Sequence, residues 1–306
     1  MSEKKKMVIA GANGFLGRYL SKYFIQKGWH VIGLARRGNG LADGVDFLKW
    51  DGVTLDSEWA DQLDRSDVLI NLVGRTVNCR PTEENKQQIL ESRVNATKLL
   101  GEVVGKSKTP PKVWLNASTA AMYDPTREKA QTESEGVMSD TFVANVGKKW
   151  EQTFNEAEID PSVRRVALRI SLIMAEEKGT VLEILKGLAK KFLGGSMGDG
   201  GQMVSWMDIQ DFCRCVEWFI KNESASGAYN MASPNALTNA EMMKRVRKEV
   251  GVSFGLPAFG WMIRLGAVFM RTNPDLILDS LWSYPERLLE EGFEFETPKF
   301  LDRSDK

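Results

Sequence analysis

The strongest constraint on this chain lies near its start. Met7–Ala10 is a four-residue apolar run that enters Gly11-Ala12-Asn13-Gly14-Phe15-Leu16-Gly17. Arg18–Lys27 then has helical apolar spacing, with Leu20, Phe24 and Ile25 on one side. Gly28 ends that helix, and His30–Ala35 reads as the next strand. In a strand–turn–helix of this kind the first glycine allows a tight turn and the second lets backbone approach a pyrophosphate. The third lets helix and strand pack closely. The helix N-terminus then presents free N–H groups to an anion. The segment therefore predicts a dinucleotide site built from Gly11, Asn13, Gly14, Phe15, Leu16 and Gly17. The bland alternative is a tight βα turn and nothing more.

Short apolar runs alternate with amphipathic stretches through the rest of the first half. Asp67–Val73 is a run ending at Gly74, Glu83–Val104 is a long helix, and Val113–Ala117 is a strand after Pro110-Pro111. Ser139–Ala157 is helical, and Val163–Met174 reads as one strand rich in Val, Ile and Leu. This rhythm predicts an α/β fold, a doubly wound, mostly parallel sheet with helices on both faces. Beyond it, Thr180–Phe192 and Asp208–Lys221 read as helices and Ala228–Met231 as a last strand. Thr238 and Glu241 form a capping-box pattern opening a helix to Val250. Leu256–Phe300 mixes helices and loops.

The end of the second strand bears on which dinucleotide binds. An Asp or Glu there would suit the ribose 2′-OH of NAD. The strand instead ends Leu34-Ala35-Arg36-Arg37, two guanidinium groups suited to a 2′-phosphate. NADP(H) is therefore expected over NAD(H), with a solvated arginine pair as the alternative. Asp51 either accepts a bond from the adenine amino group or serves its own turn.

Composition narrows the remaining classes. The 306 residues carry 41 Lys+Arg and 41 Asp+Glu, and a formal net charge of zero argues against a nucleic-acid binder. That total hides a split. Residues 1–40 hold eight basic residues and one acid, a net +7, so the remainder carries −7. A single His30 nearly excludes histidine triads, and no Cys/His spacing supports a metal site. Cys79, Cys213 and Cys215 form no disulfide framework, which suits a reducing cytoplasm. Residues 1–6 show no signal-peptide core, and Leu256–Met270, interrupted by Arg264, is too short to span a bilayer. The tryptophans at 59, 114, 150, 218, 261 and 282 are expected in the core.

Further segments narrow the family. Asn71-Leu72-Val73-Gly74 stands at a strand end, and Arg80-Pro81-Thr82 precedes Lys86 and Ser92-Arg93-Val94-Asn95-Ala96-Thr97. Later come Gly200-Gly201-Gln202-Met203-Val204-Ser205-Trp206 and Tyr284-Pro285-Glu286-Arg287-Leu288-Leu289-Glu290-Glu291-Gly292-Phe293. From about Met7 to Phe300 the chain resembles the atypical and extended short-chain dehydrogenase/reductases. Within them it is similar to the subgroup usually labelled nucleoside-diphosphate-sugar epimerases, the YfcH-like and family 39U-type proteins. It departs from them at Asp208-Ile209-Gln210-Asp211, where a His-x-Asp-Asp run is common, and at Met122-Tyr123-Asp124, where Tyr-Tyr-Gly is common. The resemblance implies a Rossmann domain with a small, discontinuous substrate portion. The expected bounds are 1–178 with 203–233 returning to it, and 179–202 with 234–306. It also implies that Leu72 and Gly74 join the cofactor site.

Active members use Ser/Thr with Tyr and Lys four apart on one helix face. Here the serine strand is present as Asn116-Ala117-Ser118-Thr119, but the helix reads Phe142-Val143-Ala144-Asn145-Val146-Gly147-Lys148-Lys149 and has no tyrosine. The two positions fall near Val143 and Gly147. Tyr23-x-x-x-Lys27 lies on the wrong helix, and Tyr123-x-x-x-Arg127 is broken by Pro125. Ser118 and Tyr123 remain as catalytic candidates. Arg75, Arg80 and Lys86 are candidates for an anionic substrate, against ordinary surface charge. The chain thus reads as an NADP(H)-dependent epimerase or oxidoreductase acting on a polar, sugar-nucleotide-like small molecule, without nucleic-acid or membrane partners. The rival is a non-catalytic NADP(H)-binding sensor. Helices 83–104 and 139–157 could pair into a homodimer.

Overall fold

The computed structural model describes residues 4–270 and 273–301, so the ends of the two expected domain ranges, 1–3 and 302–306, lie outside it. The first half builds β1 (Lys6–Ala10), α1 (Phe15–Gln26), β2 (His30–Ala35), β3 (Asp46–Lys49), α2 (Ser57–Ala60), β4 (Val68–Asn71) and α3 (Glu83–Lys106). It continues with β5 (Val113–Thr119), α4 (Phe142–Asn155) and β6 (Arg164–Ile170). The second half adds β7 (Leu172–Met174), α5 (Val181–Lys190), β8 (Met203–Val204), β9 (Trp206–Asp208) and α6 (Ile209–Lys221). β10 (Gly227–Met231), β11 (Leu237–Thr238), α7 (Asn239–Glu249) and α8 (Gly260–Met270) follow.

Seven strands form one sheet in the order β10-β6-β5-β4-β1-β2-β3. Every neighbouring pair is parallel. This is the Rossmann-like α/β sheet expected, and its central strands are apolar on both faces because helices cover both. One face packs Met7, Ile9 and Ile70 with α1 and α6. The other packs Val8, Leu69 and Trp114 with Leu100 and Phe154 of α3 and α4. Good N-caps set several helix starts. Thr82, Thr141 and Thr180 each accept a first-turn backbone N–H, and Thr238 with Glu241 completes the expected capping box.

β3 and the run Val163–Met174 are among the elements that differ from the sequence reading. β3 was not expected: it is a four-residue edge strand with mostly exposed side chains, so its pattern carries little apolar signal. The run Val163–Met174 is not one strand. Ser171 donates both its backbone N–H and its hydroxyl to the Met231 carbonyl. The chain then leaves the sheet, and β7 pairs with β9 instead. Both halves of the run are buried, so hydrophobicity alone shows no break. A third cluster gathers Met174, Leu182, Trp206, Leu237, Met242 and Phe300 away from the main sheet. Trp59, Trp114 and Trp150 are core residues as expected, whereas Trp261 is 66% exposed.

Candidate functional site

Strand order reverses between β1 and β4, and ligands of open α/β sheets bind at the carboxyl ends of strands beside such a reversal. Gly11 follows β1 with φ of +84°, and its N–H bonds to the Leu34 carbonyl at 2.8 Å. A Cβ on Gly11 would come within 3.1 Å of the Leu72 carbonyl carbon, so Gly11 and Leu72 form the two lips of the crevice. A Cβ on Gly17 would lie 2.4 Å from the Gly11 oxygen, which only a glycine avoids. Gly14 is the N-cap of α1 and no side chain caps it, which leaves first-turn N–H groups for an anion. Phe15 and Leu16 pack on the core beneath the turn. Asn13 donates to the Arg37 carbonyl at 3.2 Å and ties the turn to the end of β2. Arg36 and Arg37 are exposed there, and neither guanidinium engages a partner among the described residues. These features fit a dinucleotide. Asp51, by contrast, closes its own turn: it accepts from Val53 N–H, Thr54 N–H and the Thr54 hydroxyl at 2.7–2.9 Å. Those bonds lower its pKa.

A buried amide network fixes the ends of β4 and β5. Asn71 donates to Asn116 at 2.7 Å and to Thr97 at 3.0 Å, and the Trp150 indole donates to the same Thr97 hydroxyl. Beneath Gly74 lies the Arg93 guanidinium, which donates to the carbonyls of Arg75 and Ile89 and stacks on Trp150. Burial lowers its pKa to about 10. Arg75 donates to the Asn85 side chain at 2.7 Å, and Asn85 donates to the Arg80 carbonyl. Arg80 reaches the Val268 carbonyl of α8 at 3.0 Å. Lys86 pairs with Glu83 and sits over the Phe142 ring. Arg75 and Arg80 thus share one rim, where Cys79, Arg80, Thr82 and Asn85 line a hollow of about 280 Å³.

Ser118 and Tyr123 are brought together, but in a buried network rather than at an open surface. Ser118 donates to Glu151 at 2.6 Å, and Glu151 accepts two bonds from Arg169 at 2.9 Å. Arg169 also donates to the Tyr123 oxygen at 2.7 Å, and Tyr123 donates to Asn230 at 3.0 Å. Burial raises the Tyr123 pKa, and the Arg169 cation pulls it back in part. Burial works against the charge on Arg169, yet the bonds to Glu151 outweigh it and hold the guanidinium ionised. Sequence reasoning missed Glu151, Arg169 and Asn230. Their one signal is a charged or amide residue inside an apolar run, as in Val166-Ala167-Leu168-Arg169-Ile170.

At Gly147, near which the lysine position falls, α4 packs closely. A Cβ on Gly147 would lie 2.9 Å from the Thr119 methyl and 3.3 Å from Met122, so α4 packs against the end of β5 with no room for a side chain. The Tyr23–Lys27 pair packs between α1 and α6, where Tyr23 donates to Glu217 at 2.5 Å. A cavity of about 610 Å³ lies elsewhere: Tyr19, Ala175, Trp206 and Phe300 line it, and no glycine-turn residue does. Among the described residues no group of His, Cys, Asp or Glu could hold a metal ion, and no helix is long and apolar enough to cross a membrane.

Comparison with known proteins agrees with this geometry. Residues 7–232 match the NAD dependent epimerase/dehydratase family. The epimerase family protein YfhF of Bacillus subtilis is 28% identical over 295 residues, covering 94% of this chain and 93% of its own. An epimerase family protein of Staphylococcus haemolyticus is 30% identical over 301 residues, with 95% of each chain covered. Among solved structures, the human epimerase family protein SDR39U1 (isoform 2) with NADPH superposes with a TM-score of 0.84 at 25% identity, covering 96% of each chain.

Proposed function

The chain belongs to the NAD dependent epimerase/dehydratase family, and on that premise we propose that it binds NADP(H) and works on a polar, anionic small molecule. One observation carries the cofactor reading: Arg36 and Arg37 stand exposed and unengaged at the end of β2, beside a glycine turn that Asn13 ties to them. The human relative solved with NADPH supports it. Bound nicotinamide would supply hydride transfer. The first-turn N–H groups of α1 would hold the pyrophosphate, and Leu72 and Gly74 would face the nicotinamide half. The small portion built around α5, α7 and α8 would bring substrate to the rim at Arg75, Arg80 and Lys86. The most compatible setting is cytoplasmic.

Titration of NADPH and NADH tests this reading. A charge-assisted bond contributes about 1.5–3 kcal/mol, so NADPH is expected to bind at least roughly tenfold more tightly. Arg36→Ala should remove most of that difference and leave NADH affinity unchanged. Equal affinities in the parent chain overturn the proposal.

A second reading, a cofactor-occupied protein without turnover, draws on one observation. Both hydroxyl candidates are already bonded inside the protein, and Gly147 excludes the lysine. Mass spectrometry of small molecules that co-purify with the protein separates the two. A substrate-like molecule beside the nucleotide favours turnover, and nucleotide alone favours the sensor.

A further inference from the structure

Helix α8 is built inside out for a monomer. It turns small or medium residues inward, with Ala267 3% exposed and Gly260, Ile263 and Gly266 half-buried. Outward it turns Trp261 (66% exposed), Met262 (43%), Leu265 (54%), Val268 (58%) and Phe269 (78%). The spacing i, i+1, i+4, i+7, i+8 makes one continuous stripe. Phe254, Leu256 and Phe259 extend it along the preceding segment, and each is more than half exposed. Aromatic side chains carry roughly 150–250 Å² each. The stripe therefore leaves on the order of 600 Å² of apolar surface open and, with its extension, approaches the ~800 Å² that each partner of a standard interface buries. Monomers rarely leave that much in one patch.

We propose that this face is an isologous interface with a second copy of the chain, α8 packing on its two-fold mate. The shape decides against a small molecule. The stripe is convex, and no α8 residue lines either cavity described above. Charge decides against an anionic lipid surface or a charged partner. Arg264 is the one charged residue in α8, and it pairs with Asp275 of the same chain. An uncharged apolar stripe is complementary to itself, as a closed two-fold contact requires. The alternative helix pair is poorly suited. α3 and α4 expose no large apolar side chain, and their outer residues bond among themselves, as Gln87 with Glu91 and Gln152 with Glu156 do. The α8 contact also reaches the rim, because the Val268 carbonyl is the acceptor for Arg80. A copy seated on α8 would hold that arginine in place.

Light scattering on the full chain across a dilution series tests the proposal, and the expected mass is twice 34.3 kDa. Leu265→Asp and Phe269→Asp should each raise the dissociation constant by roughly 30-fold or more. Their NADPH affinity should stay that of the parent monomer, which also reports that they fold. Dilution of the parent should shift Trp261 emission to the red, and Trp261→Phe should abolish that shift. A parent that stays monomeric at all concentrations overturns the proposal. So does a dimer that survives the α8 variants but dissociates with Gln87→Arg on α3. A monomer that α8 fixes to phosphatidylcholine or phosphatidylglycerol vesicles overturns it in favour of a membrane surface. The scattering and emission readouts do not depend on the nicotinamide reading; only the NADPH control does.

Discussion

Glu151 carries three bonds on two oxygens, with the Ser118 hydroxyl and Arg169 Nε on one and Arg169 Nη2 on the other. Its side chain and that of Arg169 are 9% and 10% exposed, so neither can turn to water if the other is lost. Glu151→Leu should cost about 3–5 kcal/mol of stability, because it strands a buried guanidinium. The double variant Glu151→Leu/Arg169→Met should cost clearly less than the two single changes added together. Urea unfolding of the four proteins checks this, and an additive result would show that the pair is not energetically coupled. Ser118→Ala should cost less, about 1 kcal/mol. Residues of this kind were hardly legible in the sequence. Ser118 and Tyr123 could be named as polar groups near a strand end, but their partners come from α4, β6 and β10, and pairing across those distances leaves no local pattern. The glycine turn was legible because its constraint is local: strand, turn and helix are adjacent in the chain.

The helices and central strands were legible at the level of elements, since their periodicity is dictated by two covered sheet faces. The edge strand β3 and the break at Ser171 were not, because one lacks a buried face and the other lies between two buried halves. Within α1 the decisive contact is backbone to backbone. The Cβ of Gly17→Ala would fall 2.4 Å from the Gly11 oxygen and 2.7 Å from Ala12 Cα, atoms that cannot rotate away. The variant should lose roughly 1–3 kcal/mol and should bind dinucleotide far more weakly, because α1 must back away from the turn that holds it. Gly28→Ala, just past the end of α1, is the control. Its φ is +83° but nothing lies within 4 Å, so only about 1 kcal/mol of backbone strain is expected and dinucleotide affinity should hold. Thermal unfolding with and without NADPH separates them, since the ligand should raise the midpoint of Gly28→Ala but barely move that of Gly17→Ala.

Charge that is segregated along the sequence is paired off in the whole molecule. The basic N-terminal forty residues meet acids from the second half: Arg18 pairs with Glu177, and Tyr23 and Lys27 bond Glu217. Arg36 and Arg37 are exceptions among the described residues, and on the function proposed above they are left to meet the cofactor. Two carboxyls should give opposite pH signatures. Burial alone would raise the Glu217 pKa, but bonds from Lys221, Tyr23 and Lys27 outweigh it and lower the value from 4.5 to about 2. Its ionised form therefore stabilises the fold above 4.5, and that contribution is lost as pH falls toward about 2. Glu133 behaves in reverse. Burial raises its pKa despite the Asn230 N–H that it accepts at 2.7 Å, and its second oxygen has no partner. The cost of keeping it ionised is absent below 4.5 and grows as pH rises through the raised value. Urea midpoints should thus show Glu217→Gln less stable than the parent at neutral pH, with the gap closing in acid. Glu133→Gln keeps the acceptor for Asn230 and removes the buried charge, so it should be more stable at neutral pH, with its advantage vanishing below 4.5. Stability changes that are flat with pH in both variants would mean that both side chains act by packing alone.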